Sequence, residues 1–118
     1  QQSEAAAMAS DWIGCHCYWI NDTDMMQPTG GLVYEEFRRI YPEKLLFITE
    51  FSNPFSEVSA RSKGQQYVDY YRRLRNVKGL GAAFSFVLSA SSNFPYEVWR
   101  GEDGHISDIA QLVGNRNF

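Results

Sequence analysis

Long apolar runs, cationic stretches and cysteine pairs are scarce in this sequence, and each scarcity excludes a class of protein. No apolar run approaches the roughly 20 residues that span a bilayer, and the first ten residues, QQSEAAAMAS, lack the basic start and apolar core of a signal peptide. Eleven Lys and Arg stand against fourteen Asp and Glu, the net charge is −3, and no basic stripe is visible. We therefore expect a soluble chain that binds neither nucleic acid nor a membrane surface.

The two cysteines, Cys15 and Cys17, are separated by one residue in an apolar, β-prone segment. Strand alternation places both side chains on one face, too far apart for an unstrained disulfide. A Cys-x-Cys pair can contribute to a metal site, but no second pair follows, and the only histidines are His16 and the distant His105. The sequence predicts two buried apolar thiols, and we expect no metal and no other cofactor.

The rest of the composition, with 44% hydrophobic and 21% charged residues, is ordinary for one globular domain spanning residues 1–118. Short apolar strands alternate with amphipathic helices, an order typical of βα units around a parallel sheet. The predicted strands are 12–19, 45–51 and 82–88. Three predicted helices are 1–10, 30 or 31 to 41, and 59–76. A fourth is capped by Ser107 and runs through Leu112 and Val113. The segments 20–28 and 89–104 are predicted loops.

The two central helices each show an apolar stripe that predicts which face is buried. The stripes are Val33, Phe37 and Ile40 in the first helix, and Tyr67, Tyr71 and Leu74, flanked by Val68, in the second. The charged residues Lys63, Asp69, Arg72 and Arg73 are expected to be largely solvated.

The spacing of the strands limits the architecture. From Trp12 to Leu45 is 33 residues and from Leu45 to Ala82 is 37, whereas a (β/α)₈ barrel typically takes about 250 residues. The chain therefore holds three strands, either as an open three-layer domain or as the last part of a barrel. Because it begins with Gln1 rather than Met, within a predicted helix, we expect it to be a piece of a longer chain.

Functional residues of a parallel sheet gather at the carboxyl ends of its strands. The first strand ends with His16 and Tyr18, which alternation places on one face above Trp12 and Gly14. The second ends with Glu50, and the third is followed by Ser89, Ser91 and Asn93, with Trp99 further along the loop.

Glu50 needs partners, because a carboxylate at the end of an apolar strand is costly unless it is hydrogen-bonded or paired. His16 and Tyr18, one strand away, could donate hydrogen bonds that keep it ionised and aim one oxygen as a nucleophile. Trp99 would provide an apolar platform on which a sugar ring stacks.

These segments resemble a known family. DWIGCHCYW at 11–19, LFITEF at 46–51, and a Phe-rich strand with a Trp in its loop are similar to strands six to eight of the retaining β-glycosidases of glycoside hydrolase clan A. The resemblance implies three consecutive βα units of a (β/α)₈ barrel, with helices on the outer face of a parallel sheet, and an oligo- or polysaccharide substrate. It implies that Glu50 is the nucleophile and that His16 and Tyr18 orient it or touch the substrate. Trp99 matches more loosely, since the family's tryptophan usually ends strand eight, where Phe86 to Ser89 stand here.

Retaining glycosidases need a second carboxyl group as acid/base. The family supplies it as a Glu, usually preceded by Asn, at the end of strand four, and this sequence has no Asn-Glu dipeptide. Its other candidates, Asp22, Asp24, Glu57, Glu97 and Glu102, all fall in predicted loops, where carboxylates are usually solvated. We predict that these 118 residues alone do not hydrolyse glycosides.

A second interpretation remains open. The chain could be a non-catalytic carbohydrate-binding or interaction module of α/β fold, in which Glu50 is structural and caps the following helix. In either case a three-stranded parallel sheet has two bare edges and an uncovered face. We therefore expect self-association, or pairing with a missing barrel half.

Overall fold

The computed structural model describes residues 2–89, 92–114 and 116. The elements follow in the order α1 (Gln2–Ala9), β1 (Trp12–Tyr18), α2 (Asp22–Met25), α3 (Val33–Ile40), β2 (Leu45–Ser52), α4 (Ala60–Leu74), β3 (Leu80–Ser85) and α5 (Asp108–Gly114). The predicted order of strands and helices is confirmed. The short α2 is an addition, since its segment was predicted as part of a loop, and it is capped by the Asn21 side chain, which accepts a hydrogen bond from the Asp24 backbone N–H at 2.8 Å.

Boundaries differ from the prediction by one to three residues, most clearly in α3 and β3. Helix α3 begins at Val33 rather than at Gly30 or Gly31, because the backbone N–H groups of Gly30 and Leu32 both donate to the Gln27 carbonyl and form turns instead. Strand β3 begins at Leu80, which pairs with Leu46, and ends at Ser85 rather than at Leu88.

The three strands form one parallel sheet in the order β1-β2-β3. The main core lies where helices α3 and α4 pack against one face of this sheet, and aromatic rings fill its centre. Trp19 stacks on Phe51 with ring centroids 5.7 Å apart, and both rings contact Tyr67 and Tyr70. Cys15 and Cys17 are free thiols within this core, so the prediction of two buried thiols is confirmed.

The helix stripes were predicted with two errors. Ile40 is 48% exposed, and the buried residue of α3 is Tyr34, with Val33 and Phe37 partly buried beside it. Lys63 was expected in solvent but is only 1% exposed, because it lies on the same side of α4 as Tyr67, Tyr70 and Leu74. The other three charged residues predicted to be solvated, Asp69, Arg72 and Arg73, are exposed.

The opposite face of the sheet is open and largely apolar. Trp12, Leu45 and Phe84 lie on it and are each more than two-fifths exposed. Trp12 meets Phe47 edge to face, and a side chain at Gly81 would approach the Phe47 ring to 2.7 Å. An α/β sheet covered on one face and bare on the other is the arrangement expected of part of a barrel. In the part of the chain that the structure describes, no helix combines the length and apolarity needed to cross a membrane.

Candidate active site

A β-bulge in β2 determines where Glu50 points. Cys15 pairs with Ile48, but the next residue of β1, His16, pairs with Glu50, so Thr49 is an extra residue on β2. If β2 had no bulge, Glu50 would follow Ile48 by two paired positions and would lie on the same face as Ile48, beneath the helices. The bulge instead places Glu50 on the open face with His16, while Ile48 and Phe51 both stay buried.

Three of the predicted site residues meet at the carboxyl end of the sheet. The Tyr18 hydroxyl donates a short hydrogen bond to Glu50 Oε2, and His16 Nδ1 lies 3.4 Å from that same oxygen. The side chains of Glu50 and His16 are 34% and 54% exposed, so the carboxylate is open to solvent on one side. Among the described residues, none donates a hydrogen bond to Oε1.

This geometry gives the two oxygens of Glu50 different surroundings. Tyr18 and His16 hold Oε2 from one side, whereas no described side chain donates to Oε1. Tyr18 remains a donor at neutral pH, because partial burial, the hydrogen bond to Glu50 and the carboxylate's charge all raise the pKa of its phenol. Glu50 does not cap the next helix, since the cap of α4 is the Ser59 side chain, which accepts from the Ser62 N–H at 3.1 Å.

Aromatic rings border this group on the side of β3. The Phe86 ring lies with its centroid 6.5 Å from that of Tyr18, and Phe94 meets Phe86 edge to face at 4.8 Å. In the sequence, Phe86 stood out only as the position where the resembling β-glycosidases usually have a tryptophan. The spacing of Phe84, Phe86 and Phe94 around the end of β3 was the signal available for this aromatic wall.

Trp99 is not brought into contact with the other three predicted site residues in the described structure. Its ring packs against the core, and its backbone N–H donates to the carbonyls of Val87 and Leu88. Its role as a sugar platform stays a prediction. Of the polar residues predicted beside it, Ser89 and Asn93 are exposed, and Ser91 lies outside the described residues.

Glu97 was predicted to be a solvated loop carboxylate, and this was wrong. It is 6% exposed, and the Ser52 hydroxyl donates a short hydrogen bond to its Oε1. It belongs to a buried polar cluster next to the carboxyl end of β2, formed by Ser52, Asn53, Lys63, Gln66 and Glu97. The position of Lys63 on the apolar stripe of α4 was a sequence signal for such a cluster, because a charge there requires a buried partner.

The amides of this cluster fasten the start of the β2–α4 loop. The Gln66 Oε1 atom accepts from Asn53 Nδ2 at 2.9 Å and from Trp19 Nε1 at 3.0 Å, and the Gln66 amide donates to Asp22 at 2.8 Å. Two successive strand ends are therefore tied to α4. Among the residues described, no three His, Cys, Asp or Glu side chains gather closely enough to hold a metal ion.

Comparison with known proteins identifies the fold. The sequence matches no protein-family model and no curated protein. Its structure is similar to a GH128 (subgroup II) endo-β-1,3-glucanase from Sorangium cellulosum, with a TM-score of 0.72 and 20% identity over 97% of this chain and 45% of that one. It is also similar to a GH128 (subgroup IV) endo-β-1,3-glucanase from Lentinula edodes, with a TM-score of 0.69 and 16% identity over 95% and 46% of the two chains.

A third similar structure is a GH128 (subgroup VI) exo-β-1,3-glucanase from Aureobasidium namibiae, with a TM-score of 0.65 and 16% identity over 92% of this chain and 43% of that one. The chain thus spans less than half the length of each solved structure. At these identities the likeness concerns the fold alone. The predicted fold class, consecutive βα units around a parallel sheet, is confirmed.

Proposed function

We propose that this chain is the C-terminal part of a glycoside hydrolase barrel and that Glu50 is the nucleophile of a retaining mechanism. The observation that carries the proposal is the convergence of Tyr18 and His16 on one oxygen of Glu50, at the carboxyl ends of two adjacent parallel strands. The fold likeness to three β-1,3-glucanases supports it.

In this mechanism Glu50 Oε1 attacks the anomeric carbon of a bound sugar and forms a covalent glycosyl ester as the leaving group departs. Water then releases the sugar with the original anomeric configuration. Tyr18 and His16 orient the carboxylate through Oε2, and positioning of this kind lowers the barrier by fixing the reacting atoms near their attack distance.

The acid/base carboxyl group is supplied from outside these 118 residues. Retaining enzymes place it about 5 to 5.5 Å from the nucleophile, and Glu97 is unsuited to the role because it is buried and bonded to Ser52. Residues 1–118 are then a single unit that completes its active site only with the remaining strands of the barrel.

The substrate class follows from the same reasoning. An open cleft with aromatic rings at its side suits a sugar polymer, whose apolar ring faces pack on aromatic surfaces. Since the similar structures are named as β-1,3-glucanases, a β-1,3-linked glucan is the first substrate to test. We propose Trp99 as a further substrate contact, reached by sugar units beyond the one that is cleaved.

Covalent trapping tests the proposal. An activated 2-deoxy-2-fluoro-β-laminaribioside, whose leaving group needs no acid assistance, is incubated with the barrel polypeptide that contains this chain. Mass spectrometry should find the sugar on the peptide containing 45–52, at Glu50. Glu50→Gln should abolish labelling, whereas Glu57→Gln, which changes an exposed carboxylate in the following loop, should not.

Labelling of a different carboxylate would overturn the assignment of Glu50. The 118-residue chain by itself should show no turnover of an aryl β-glucoside. Turnover that disappears in Glu50→Gln would refute the need for an external acid/base group.

A further inference from the structure

Lys63 and Glu97 are two buried residues of opposite charge beside the proposed site, and neither takes part in the mechanism above. Glu97 belongs to the segment after β3, whereas Lys63 is on α4, and both are almost completely buried. Removing two opposite charges from water is costly, and the cost is offset only when their hydrogen bonds and mutual attraction are well made. Their partners therefore determine where the segment after β3 can lie.

The pair attaches a single turn at two points. The Ser52 hydroxyl of β2 donates to Glu97, and the Lys63 ammonium donates to the neighbouring Tyr96 carbonyl at 2.8 Å. Burial lowers the pKa of Lys63, while the negative charge of Glu97 acts in the opposite direction. Strand β2 and helix α4 thus hold residues 96 and 97 from two sides.

The same turn carries an aromatic ring to the site. The Glu97 N–H donates to the Phe94 carbonyl at 3.3 Å, which closes the turn. The Phe94 ring contacts Phe86, and Phe86 contacts Tyr18. In addition, Ser52 pairs with Tyr18 in the sheet and follows Glu50 by two residues. Ser52, which holds Glu97, therefore lies at the same end of β2 as the proposed nucleophile.

We propose that Glu97 is a positioning residue: it fixes turn 94–97 against Ser52 and Lys63, so that Phe94 and Phe86 form a wall beside Tyr18 and Glu50. The attachment of the turn is independent of the function proposed above. The further step, that the wall contacts a bound sugar chain, rests on that function.

Hydrogen exchange on the 118-residue chain tests the attachment without any activity. In Glu97→Gln and in Ser52→Ala, amides within 92–104 should exchange at least about tenfold faster, while those of 13–18 keep their rates, since local opening raises exchange only where contacts are lost. The control Glu57→Gln should leave both regions unchanged. The double variant K63M/E97Q removes both charges together, avoids an unpaired buried charge, and should show the same local effect.

Two results would overturn the attachment. One is unchanged exchange at 92–104 in all three variants. The other is faster exchange throughout the chain in K63M/E97Q as well as in the single variants, which would make Glu97 a general stabiliser of the fold.

Kinetics on the active barrel polypeptide test the second step. Glu97→Gln should raise KM for a β-1,3-gluco-oligosaccharide about tenfold, with kcat and the rate of Glu50 labelling within about twofold, because it removes binding common to the ground and transition states. Ser52→Ala should reproduce this split. If Glu50 is labelled but KM is unchanged in Glu97→Gln, the proposal that the wall contacts a bound sugar chain is wrong. If Glu50 is not labelled in the unaltered protein, the proposed function fails, and hydrogen exchange alone decides the attachment.

Discussion

Tyr18 and Glu50 are joined by a short hydrogen bond across two adjacent parallel strands, although 32 residues separate them in the sequence. The bond orients the carboxylate and simultaneously makes the phenol harder to ionise, because burial and the nearby negative charge raise the pKa of Tyr18. The phenol therefore stays protonated and continues to donate to the carboxylate oxygen that it positions.

Replacing Tyr18 by Phe should impair the reaction of Glu50 while leaving the fold intact. We expect the rate of covalent labelling by the fluorosugar to fall about 10²-fold, the loss associated with misplacing a reacting group by about 1 Å. Tyr41→Phe, at the C-terminal end of α3 and away from the cleft, is the matched control. Equal labelling rates in Tyr18→Phe and Tyr41→Phe would show that the phenol does not orient Glu50.

Arg38 should be a major stabilising residue at the opposite end of the sheet. Its guanidinium donates to the carbonyls of Pro42 and Lys44 before β2 and of Lys78 and Gly79 before β3, at 2.8 to 3.2 Å. Arg38→Leu leaves these acceptors without their donor and should lower the free energy of unfolding by about 2 to 3 kcal/mol, measured by urea denaturation.

The neighbouring residue is the control for that measurement. Among the described residues, Arg39 pairs with Glu36 alone, on the surface of the same helix, and exposed ion pairs contribute little. Arg39→Leu should therefore shift the urea midpoint far less than Arg38→Leu. Similar midpoints for the two variants would argue against the stabilising role of Arg38.

Alkaline pH should unfold the protein through its buried tyrosines. Five of the seven tyrosines, Tyr18, Tyr34, Tyr67, Tyr70 and Tyr71, have raised pKa values, chiefly because burial disfavours the phenolate. A raised pKa in the folded state contributes stability that is complete below the unfolded value of 10.0 and is lost as pH rises above it.

An alkaline titration should follow tyrosine ionisation by phenolate absorbance at 295 nm and unfolding by far-ultraviolet circular dichroism. No more than two tyrosines should ionise before the helical signal is lost, and the others should ionise with unfolding. Ionisation of four or more while the dichroism is unchanged would show that burial does not control these phenols.

The open face and free edges of the sheet should drive association of the isolated chain. Sedimentation velocity should show dimers or larger species that increase with concentration, because Trp12 and Phe84 present apolar surface to solvent on the open face. Phe84→Lys should shift the distribution toward monomer. Ile40→Lys, which changes an exposed apolar residue on the helical side, should not, and a stable monomer of the unaltered chain at high concentration would contradict this prediction.

The sequence was sufficient for the order of the elements and for the faces of β1, which depend on local periodicity, but not for every position of the helix stripes. Strand alternation placed His16 and Tyr18 on one face, and the spacing of apolar segments indicated three βα units. The orientation of Glu50 was less accessible, because the bulge at Thr49 exists only through the pairing of β2 with β1. Lys63 and Glu97 were wrongly predicted to be solvated. The burial of each charged side chain is stabilised by partners that are distant in sequence, Tyr96 for Lys63 and Ser52 for Glu97.

The bulge also shows that the pairing register of a strand, and not only its residue chemistry, determines which side chains reach this surface. Thr49 brings no reactive group of its own, yet if it paired regularly with His16 the following carboxylate would turn toward the aromatic core and Phe51 would face the cleft. Strand sequences of distantly similar barrels are therefore better aligned by the residues that face the cleft at the carboxyl end of each strand than by counting positions along the strand.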